Sequence, residues 1–209
     1  MEYESEIKKA LEELRKDKPR KFDQTVDLII NLQKFDVKKT PINLLINVPH
    51  KVKDKKVAAF LDAKKSNVDT ITADQFKKYS DKNEIKKLVK KYDFFISQAS
   101  LMPKVATVFG RVLGPAGKMP SPQMGVIPQG DEKLIEELKN KINNTVKLKV
   151  KEASVKLPIG KQSMKDEDLL ENISSIYDAL LKAMPKQKDN IRNIEIKFTM
   201  TKPQKIKIR

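Results

Sequence analysis

Two kinds of hydrophobic pattern divide this chain of 209 residues and limit the folds open to it. Near both ends, apolar and polar residues alternate over 25–32 and 194–201, which predicts strands with one face in solvent. The middle instead alternates short apolar strands with helical patterns, which is typical of a small α/β layer with parallel strands. Because both ends share this strand pattern, they favour a discontinuous outer domain, 1–53 with 152–209, and an inserted domain, 54–151. These patterns leave two consecutive domains open as an alternative.

The outer segments predict an α+β domain in which helices lie on an antiparallel-type sheet. A first helix carries one apolar stripe and is expected to end at Pro19. The capping box Ser163-x-x-Asp166 predicts the start of a long helix, and Ile159–Lys161 before it is expected to form a turn. The last strand is expected to pair with residues 206–208. The stripe of the first helix consists of Ile7, Ala10, Leu11 and Leu14.

Composition excludes several kinds of site. The absence of cysteine removes disulfides, thiolate catalysis and cysteine metal sites. The one histidine, His50, leaves no second imidazole for a triad or a metal, and no pair of carboxylates stands apart from the surrounding lysines. We therefore expect no enzyme activity, no metal and no cofactor. No apolar run approaches the ~18–20 residues of a membrane span and the N-terminus is acidic, so we expect a cytoplasmic protein.

The charge of the chain predicts a polyanionic partner. Its formal net charge is +16 with a pI near 9.7, which favours RNA or DNA over a membrane surface. Residues 55–151 hold 20 basic and 10 acidic side chains, a net charge of +10, and are expected to be the most basic part. Arginine, which reads guanine edges in DNA, is scarce beside lysine, so structured RNA is the better expectation.

The densest run of glycine and proline lies at 110–122 and predicts a stiff, exposed, basic loop in the inserted domain. A nucleotide-binding P-loop fits it poorly, since Val112 stands where the first glycine of that motif belongs and Met119 where its hydroxyl belongs. A phosphate-handling enzyme that uses this loop, and a rigid turn without a ligand, stay open as alternatives. The candidate functional residues of the loop are Gly110, Arg111, Gly114, Gly117 and Lys118.

This run resembles the signature of the L1 family of large-subunit ribosomal proteins, which form the mobile stalk beside the tRNA exit site. Three other segments are similar to that family and imply contacts with rRNA: Phe22-x-x-Thr25-Val26, Ile159-Gly160-Lys161-x-Ser163 and Thr199-Met200. In the second of these, the resemblance implies that the glycine lets the backbone approach the RNA. The residues expected to bind RNA are Lys21, Phe22, Thr25, Asp27, Gly160, Lys161, Ser163, Lys197, Thr199, Met200 and Thr201.

The chain departs from the family pattern at two positions. Thr201 replaces the usual glycine after Thr-Met, and Lys51 replaces the usual glycine after Pro-His. Because β-branched residues rarely adopt positive φ, we expect the turn at Thr201 to differ from the family's and the affinity for RNA to be lower.

The resemblance implies an inserted-domain fold of archaeal or eukaryote-like type, in which two adjacent crossings act as a hinge. It implies a monomer within the ribosome that binds large-subunit rRNA and assists the release of deacylated tRNA from the exit site. It also implies repression of translation by binding of the chain to its own mRNA. A general basic RNA chaperone stays open as an alternative, because positive charge alone gives sequence-independent affinity for RNA.

Overall fold

The structure, a computed structural model, describes residues 4–18, 20–36, 42–65, 67–79, 81–122, 124–128, 130–150 and 152–206. The chain forms two compact units, one of Met1–Lys53 with Asn144–Arg209 and one of Asp54–Asn143. The second boundary lies before the one expected at 151/152. It differs because the strand Thr145–Lys149 pairs with the strand Asn43–Asn47 of the first unit, although it follows a helix of the second.

The helices are, in chain order, α1 (Glu4–Arg15), α2 (Lys82–Lys91), α3 (Met102–Ala116), α4 (Glu132–Asn143) and α5 (Asp166–Ala183). The strands are β1 (Thr25–Leu32), β2 (Asn43–Asn47), β3 (Val57–Phe60), β4 (Asp69–Ile71), β5 (Phe94–Gln98), β6 (Val126–Ile127), β7 (Thr145–Lys149), β8 (Ser154–Lys161), β9 (Ile191–Phe198) and β10 (Gln204–Ile206). Short 3₁₀ segments occupy Ala73–Tyr79, Ala99–Leu101 and Gln187–Asn190. Pro19 and residues 207–208, to which predictions were attached, lie outside the described residues.

The first unit is built on a four-stranded antiparallel sheet in the order β10-β9-β1-β8. Alternation along β1 decides its faces: Val26, Leu28 and Ile30 are buried, and the residues between them are partly exposed. Helices α1 and α5 contact this sheet, and the predicted stripe of α1 is buried in the same core. Each Leu or Ile buried in this way stabilises the fold by about 1.5–3 kcal/mol. The predicted α+β class of the outer segments is confirmed.

The connection between β8 and α5 differs from the sequence prediction. Ile159–Lys161 is the end of β8 rather than a turn, because it continues the ladder with β1. Ser163 does not cap α5. Lys165 occupies the N-cap without a side-chain bond, and the Ser163 Oγ instead donates to Asp23 Oδ2 at 2.8 Å.

The second unit has a parallel sheet in the order β4-β3-β5-β6 with helices on both faces. In β3, Ala58 and Phe60 belong to the core that holds α2 and α3, and Ala59 belongs to the core that holds α4. A sheet covered on both faces requires strands that are apolar throughout, as β3 is. The predicted α/β class of the inserted segment is confirmed. Within the described ranges, no helix is long and apolar enough to cross a membrane.

Candidate nucleic-acid interface

Three of the predicted RNA-binding segments meet at one end of the sheet of the first unit. β1 is the neighbour of both β8 and β9, and the register places Thr25 opposite Lys161. Thr25 is also joined to the turn after β9: its N–H donates to Thr199 Oγ1 at 3.1 Å, and its carbonyl accepts from the Thr199 N–H at 3.1 Å. Segments far apart in the chain therefore form one surface.

This surface exposes two large apolar side chains, Phe22 and Met200, with 53% and 58% of their area in solvent. Phe22 precedes β1, and Met200 lies in the turn after β9. The strand predicted to run through Met200 to residue 201 is wrong at its end, because β9 ends at Phe198. Exposed apolar groups of this size beside polar and basic ones are typical of surfaces that bind a partner, and with RNA they pack on unstacked bases.

Thr201 closes the turn that carries Met200. Its N–H donates to the Phe198 carbonyl at 3.2 Å, and its Oγ1 accepts from the Phe198 N–H at 2.9 Å. Among the described residues other than glycine, positive φ occurs only at Lys34 and Gln187, so Thr201 keeps an ordinary backbone conformation. The Thr201 hydroxyl thus adds a hydrogen bond that glycine cannot make, while the expected difference from the family's turn and the expected lower affinity for RNA stay predictions.

The Asp23 carboxylate organises the residues that follow β8. It accepts hydrogen bonds from the Ser163 N–H at 3.1 Å and from the Ser163 Oγ at 2.8 Å, and it lies 3.8 Å from Lys161 Nζ. The Lys161 side chain is 48% exposed, so this ion pair contributes little to stability. The Lys161 ammonium remains accessible to an anion, whereas the Ser163 hydroxyl already has an internal partner.

Gly160 has a packing role. It is buried, and a Cβ at this position would lie 2.5 Å from Leu169 Cδ2 and 2.7 Å from Met164 Sδ. The missing side chain thus makes room for α5, which packs directly on β8. The structure gives Gly160 this packing role, and the expected backbone approach to RNA stays a prediction.

Asp27 and Lys197 lie opposite each other on β1 and β9, on the partly exposed face that also carries Thr25. Burial raises the pKa of the Asp27 carboxyl above its ordinary value, and the Lys197 ammonium offsets part of that rise. Lys21 is exposed beside Phe22. Ammonium and carboxylate groups are thus interspersed here, and the surface is only moderately basic.

Three residues that support this surface were missed by the sequence analysis: Arg15, Asp23 and Gln24. Arg15 donates to the Gln162 carbonyl at 2.9 Å and so holds the segment after β8 from the side of α1. Gln24 is 2% exposed and hydrogen-bonds both to that segment and to the turn after β9. The sequence carried one signal for Gln24, because it continues the buried parity of β1 upstream of the strand.

The single histidine belongs to a different cluster. His50 Nε2 lies 2.8 Å from Glu171 Oε2, and the His50 N–H donates to Asn172 Oδ1 at 3.0 Å. These contacts attach the segment after β2 to α5. In the part of the chain that the structure describes, no group of three or more histidine, aspartate or glutamate side chains is placed to hold a metal ion.

The run at 110–122 begins as a helix and not as the loop that its composition predicts, although Arg111, Gly114 and Gly117 are exposed as expected. Helix α3 continues through Gly110, Arg111 and Gly114, and Gly117, with a φ of 66°, ends it in the left-handed conformation. The correction has a physical cause: apolar residues of α3 fill one core of the second unit, and their burial outweighs the weak helix propensity of glycine. A P-loop requires free amides in a loop, and here most of the run is helical.

Lys118 is directed inward. Its Nζ donates to the Val89 carbonyl at 2.7 Å and to the Tyr92 carbonyl at 2.8 Å, both at the C-terminal end of α2. An ammonium at a helix C-terminus satisfies carbonyls that have no partner within the helix and interacts favourably with the helix dipole. This position gives Lys118 a structural role in the second unit.

Comparison with known proteins decides the family of this chain. Residues 14–202 match the family model described as the Ribosomal protein L1p/L10e family. The chain belongs to this family. The large ribosomal subunit protein uL1 of Pyrobaculum islandicum is 41% identical over 94% of this chain and 90% of its own length. The corresponding proteins of Nanoarchaeum equitans and Pyrococcus horikoshii are each 34% identical, over 93% and 88% of this chain and 94% and 86% of their own lengths.

Membership in the L1 family confirms the resemblance found in the sequence, including its archaeal type. The chain is a ribosomal protein of the large subunit, located on the ribosome in the cytoplasm, and it is not an enzyme. The alternative of a phosphate-handling enzyme is therefore wrong.

The boundary between the units changes how the charge of this L1-family chain is divided. The first unit carries 27 basic and 17 acidic side chains, a net charge of +10, and the second carries 17 and 11, a net charge of +6. The change arises mainly because the lysines of 144–151 belong to the first unit, where β7 pairs with β2. The expectation that the inserted part is the most basic is wrong for the units as they fold.

Proposed function

We propose that the surface formed by Phe22, Thr25, Lys161, Thr199 and Met200 binds large-subunit rRNA. The observation that supports this most is the convergence of three separate segments, joined by hydrogen bonds, at a place where Phe22 and Met200 are exposed. A solvated strand end gains nothing from exposing two large apolar side chains, whereas a binding surface does. The names of the archaeal relatives, as proteins of the large ribosomal subunit, agree with an RNA partner.

The side chains of this surface suit a folded RNA better than duplex DNA. Phe22 and Met200 present apolar area to unstacked bases and sugars, which regular B-form DNA does not offer. Thr199 Oγ1 is fixed by its bonds to the backbone of Thr25, and its remaining lone pair can accept from a 2′-hydroxyl. Lys21 and Lys161 contact phosphates and release counterions, which provides affinity without reading sequence.

The proposal includes two further activities in translation. The chain assists the release of deacylated tRNA from the exit site, with the second unit as the part that meets the tRNA. It also represses translation of its own mRNA, through a site in the mRNA that resembles the rRNA site. The net charge of +6 on the second unit supports a weak, transient contact with RNA, since such charge gives affinity without specificity.

Nuclease protection tests the primary contact. The full chain is mixed with archaeal large-subunit rRNA, the complex is digested, and the protected RNA is sequenced. We expect one discrete, structured segment to be recovered. Protection spread evenly over the rRNA, and equal binding of random RNA, would support the general RNA chaperone instead.

A double variant, Lys161→Gln with Met200→Ala, connects that binding to the surface. We expect it to lose the protected segment. The matched control is Lys156→Gln with Leu134→Ala, which removes one exposed lysine from β8 and one exposed apolar side chain from α4. The control should bind as the wild type does. For repression, an RNA that carries the chain's own leader should compete with the protected rRNA segment, because both use one surface.

A further inference from the structure

We propose that Gln24 is a positioning residue of the RNA-binding surface, whose buried amide fixes the turn that carries Met200 relative to the segment after β8. The inference rests on the proposed binding of rRNA by this surface. It assigns a role to a residue whose own side chain is shielded from any partner, since only 2% of Gln24 is exposed.

Three hydrogen bonds connect Gln24 to two segments that are distant in the chain. Its Oε1 accepts from the Met200 N–H at 3.0 Å, and its Nε2 donates to Gln162 Oε1 at 3.2 Å. Its main-chain carbonyl accepts from the Gln162 N–H at 2.8 Å. Gln24 lies immediately before β1, so one residue connects the start of β1, the turn after β9 and the segment after β8.

The orientation of the Gln24 amide follows from its partners. The Met200 N–H can only donate, so the side-chain oxygen of Gln24 must face it, and Nε2 is then left to face the side-chain oxygen Oε1 of Gln162. A methionine at position 24 has a similar volume but forms neither side-chain bond. The substitution Gln24→Met therefore removes the connection while it keeps most of the packing.

The consequence for binding is preorganisation. The Met200 side chain is mostly in solvent, so the position of its backbone decides where it points. A complex with RNA must order every group that it contacts, and groups that are already fixed lower this cost. Loss of the Gln24 amide is therefore expected to weaken RNA binding although it removes no contact with RNA.

Asn190, the last residue of the 3₁₀ segment before β9, provides a matched control beside the same sheet. It is fully buried, its Oδ1 accepts from the Lys186 N–H at 2.8 Å, and its Nδ2 donates to the Gln33 carbonyl at 3.2 Å. Like Gln24, it connects segments through a buried amide. It lies next to the opposite end of β1, where Leu32 pairs with Ile191.

The experiment compares the full-length variants Gln24→Met and Asn190→Leu in binding to the rRNA segment that the wild type protects from nuclease. Affinities are measured well below the melting temperature of each variant, which a thermal melt establishes first. Both variants should melt at lower temperature, because each loses buried hydrogen bonds. Only Gln24→Met should weaken binding, by about tenfold and mainly through faster dissociation.

A double-mutant cycle tests whether the effect runs through Met200. In the Met200→Ala background, Gln24→Met should lower the affinity for RNA by only about threefold. The loss is smaller than in the wild type because the side chain that Gln24 positions is gone. If Gln24→Met does not fold, Gln162→Leu decides the question. It removes one of the two side-chain bonds from the other partner and should weaken binding by about threefold.

The outcomes separate this inference from the proposed function. If Met200→Ala and Lys161→Gln weaken binding but the folded Gln24 variant binds as the wild type does, Gln24 has no positioning role and the RNA surface stands. An equal loss in Gln24→Met and Asn190→Leu also overturns the inference, since it would show a general effect of stability. If Met200→Ala and Lys161→Gln bind normally, the surface is not the RNA site and both proposals fail.

Discussion

The two units of this chain place the lysines of their motifs differently. In the first unit the motif residues Phe22 and Met200 are exposed, and the Lys161 side chain is about half exposed. In the second unit the most recognisable segment, 110–122, is largely helical, and its Lys118 is bonded to two backbone carbonyls. The lysine of a distinctive motif therefore does not by itself mark a ligand contact. The direction of its side chains decides between binding and structure.

The two units also differ in net charge. By the observed boundary, the first unit has a net charge of +10 and the second +6. With the boundaries expected from the sequence, the larger net charge lies in the inserted part and the RNA motifs lie in the outer part, so charge and motifs point to different domains. With β7 in the first unit that conflict disappears, since the unit with the exposed motif residues is also the more basic one.

The largest expected effect comes from separating the units. A chain that joins residues 1–53 to 144–209 through a short Gly-Ser linker should bind the protected rRNA segment within a few-fold of the full chain. The fragment 54–143 should bind it at least about a hundredfold more weakly, because it offers only non-specific charge. Fluorescence anisotropy measures both affinities, and circular dichroism checks that each piece is folded. Tight binding by a folded 54–143 would show that the second unit, and not the first, provides the affinity for rRNA.

Single substitutions on the exposed surface should weaken binding next most strongly. Phe22→Ala, Thr199→Ala and Met200→Ala are each expected to cost about 1–3 kcal/mol in binding to the rRNA segment. For Met200→Ala, stability should change by less than about 0.5 kcal/mol, because the side chain is outside the core. Titrations by anisotropy and thermal melts separate the two quantities. A large fall in melting temperature for Met200→Ala would show that this side chain contributes to the core.

Substitution of Gly160 should chiefly lower the stability of the fold. Gly160→Ala places a methyl group against Leu169 and Met164 and should lower the free energy of unfolding by about 1–3 kcal/mol in denaturant titrations. Gly110→Ala is the matched control, because nothing lies within 4 Å of a Cβ there. As a helical glycine in α3, it should gain about 0.5–1 kcal/mol from the substitution. Equal effects at both sites would show that the packing of α5 on β8 is not as described.

A substitution of Lys118 tests whether this lysine of the second unit has a structural role. Lys118→Met should destabilise the chain by about 1–2 kcal/mol, because two carbonyls at the end of α2 lose their donor. Affinity for the rRNA segment should not change. Lys104→Met, at an exposed position of α3, is the control and should be neutral in both measurements. A loss of RNA affinity without a loss of stability would show that Lys118 contacts RNA.

Asp27 should give the smallest effect, visible in its dependence on pH. Because burial raises the pKa of Asp27, the folded chain holds its proton over a range in which the unfolded chain has lost it. Its contribution to stability therefore falls as pH rises from below about 3.9 through the raised pKa. The stability of Asp27→Asn relative to the wild type should then increase between pH 3 and pH 7. Asp178→Asn, an exposed carboxylate on α5, is the control.

Local patterns predicted most helices and strands, and contacts between distant residues account for most of what they missed. The stripe of α1 and the alternation of β1 depend on neighbours in sequence, and both are confirmed. The pairing of β7 with β2 and the bonds of Lys118 depend on register and packing, which the sequence does not encode locally. Glycine and proline usually interrupt helices, so the composition of 110–122 predicts a loop, whereas tertiary burial makes residues 110–116 helical.

For the site, the motif residues were predicted but the groups that hold them were not. Asp23 and Arg15 gave no signal, since charged residues near a strand start and a helix end are common. Gln24 was detectable only as a polar residue on the buried parity of β1, and its partners lie in segments whose positions the sequence does not specify.

A photo-cross-link from position 22 tests whether the surface that carries Phe22 and Met200 binds rRNA on the ribosome. A photoreactive phenylalanine analogue replaces Phe22 in the full chain, the chain is assembled into archaeal ribosomes, and cross-linked RNA is mapped by sequencing. We expect cross-links to one large-subunit rRNA segment, and no cross-link to that segment from the same analogue at Leu134, an exposed position of the second unit. Cross-links from Leu134 to the segment that the chain protects from nuclease, with none from position 22, would contradict this expectation.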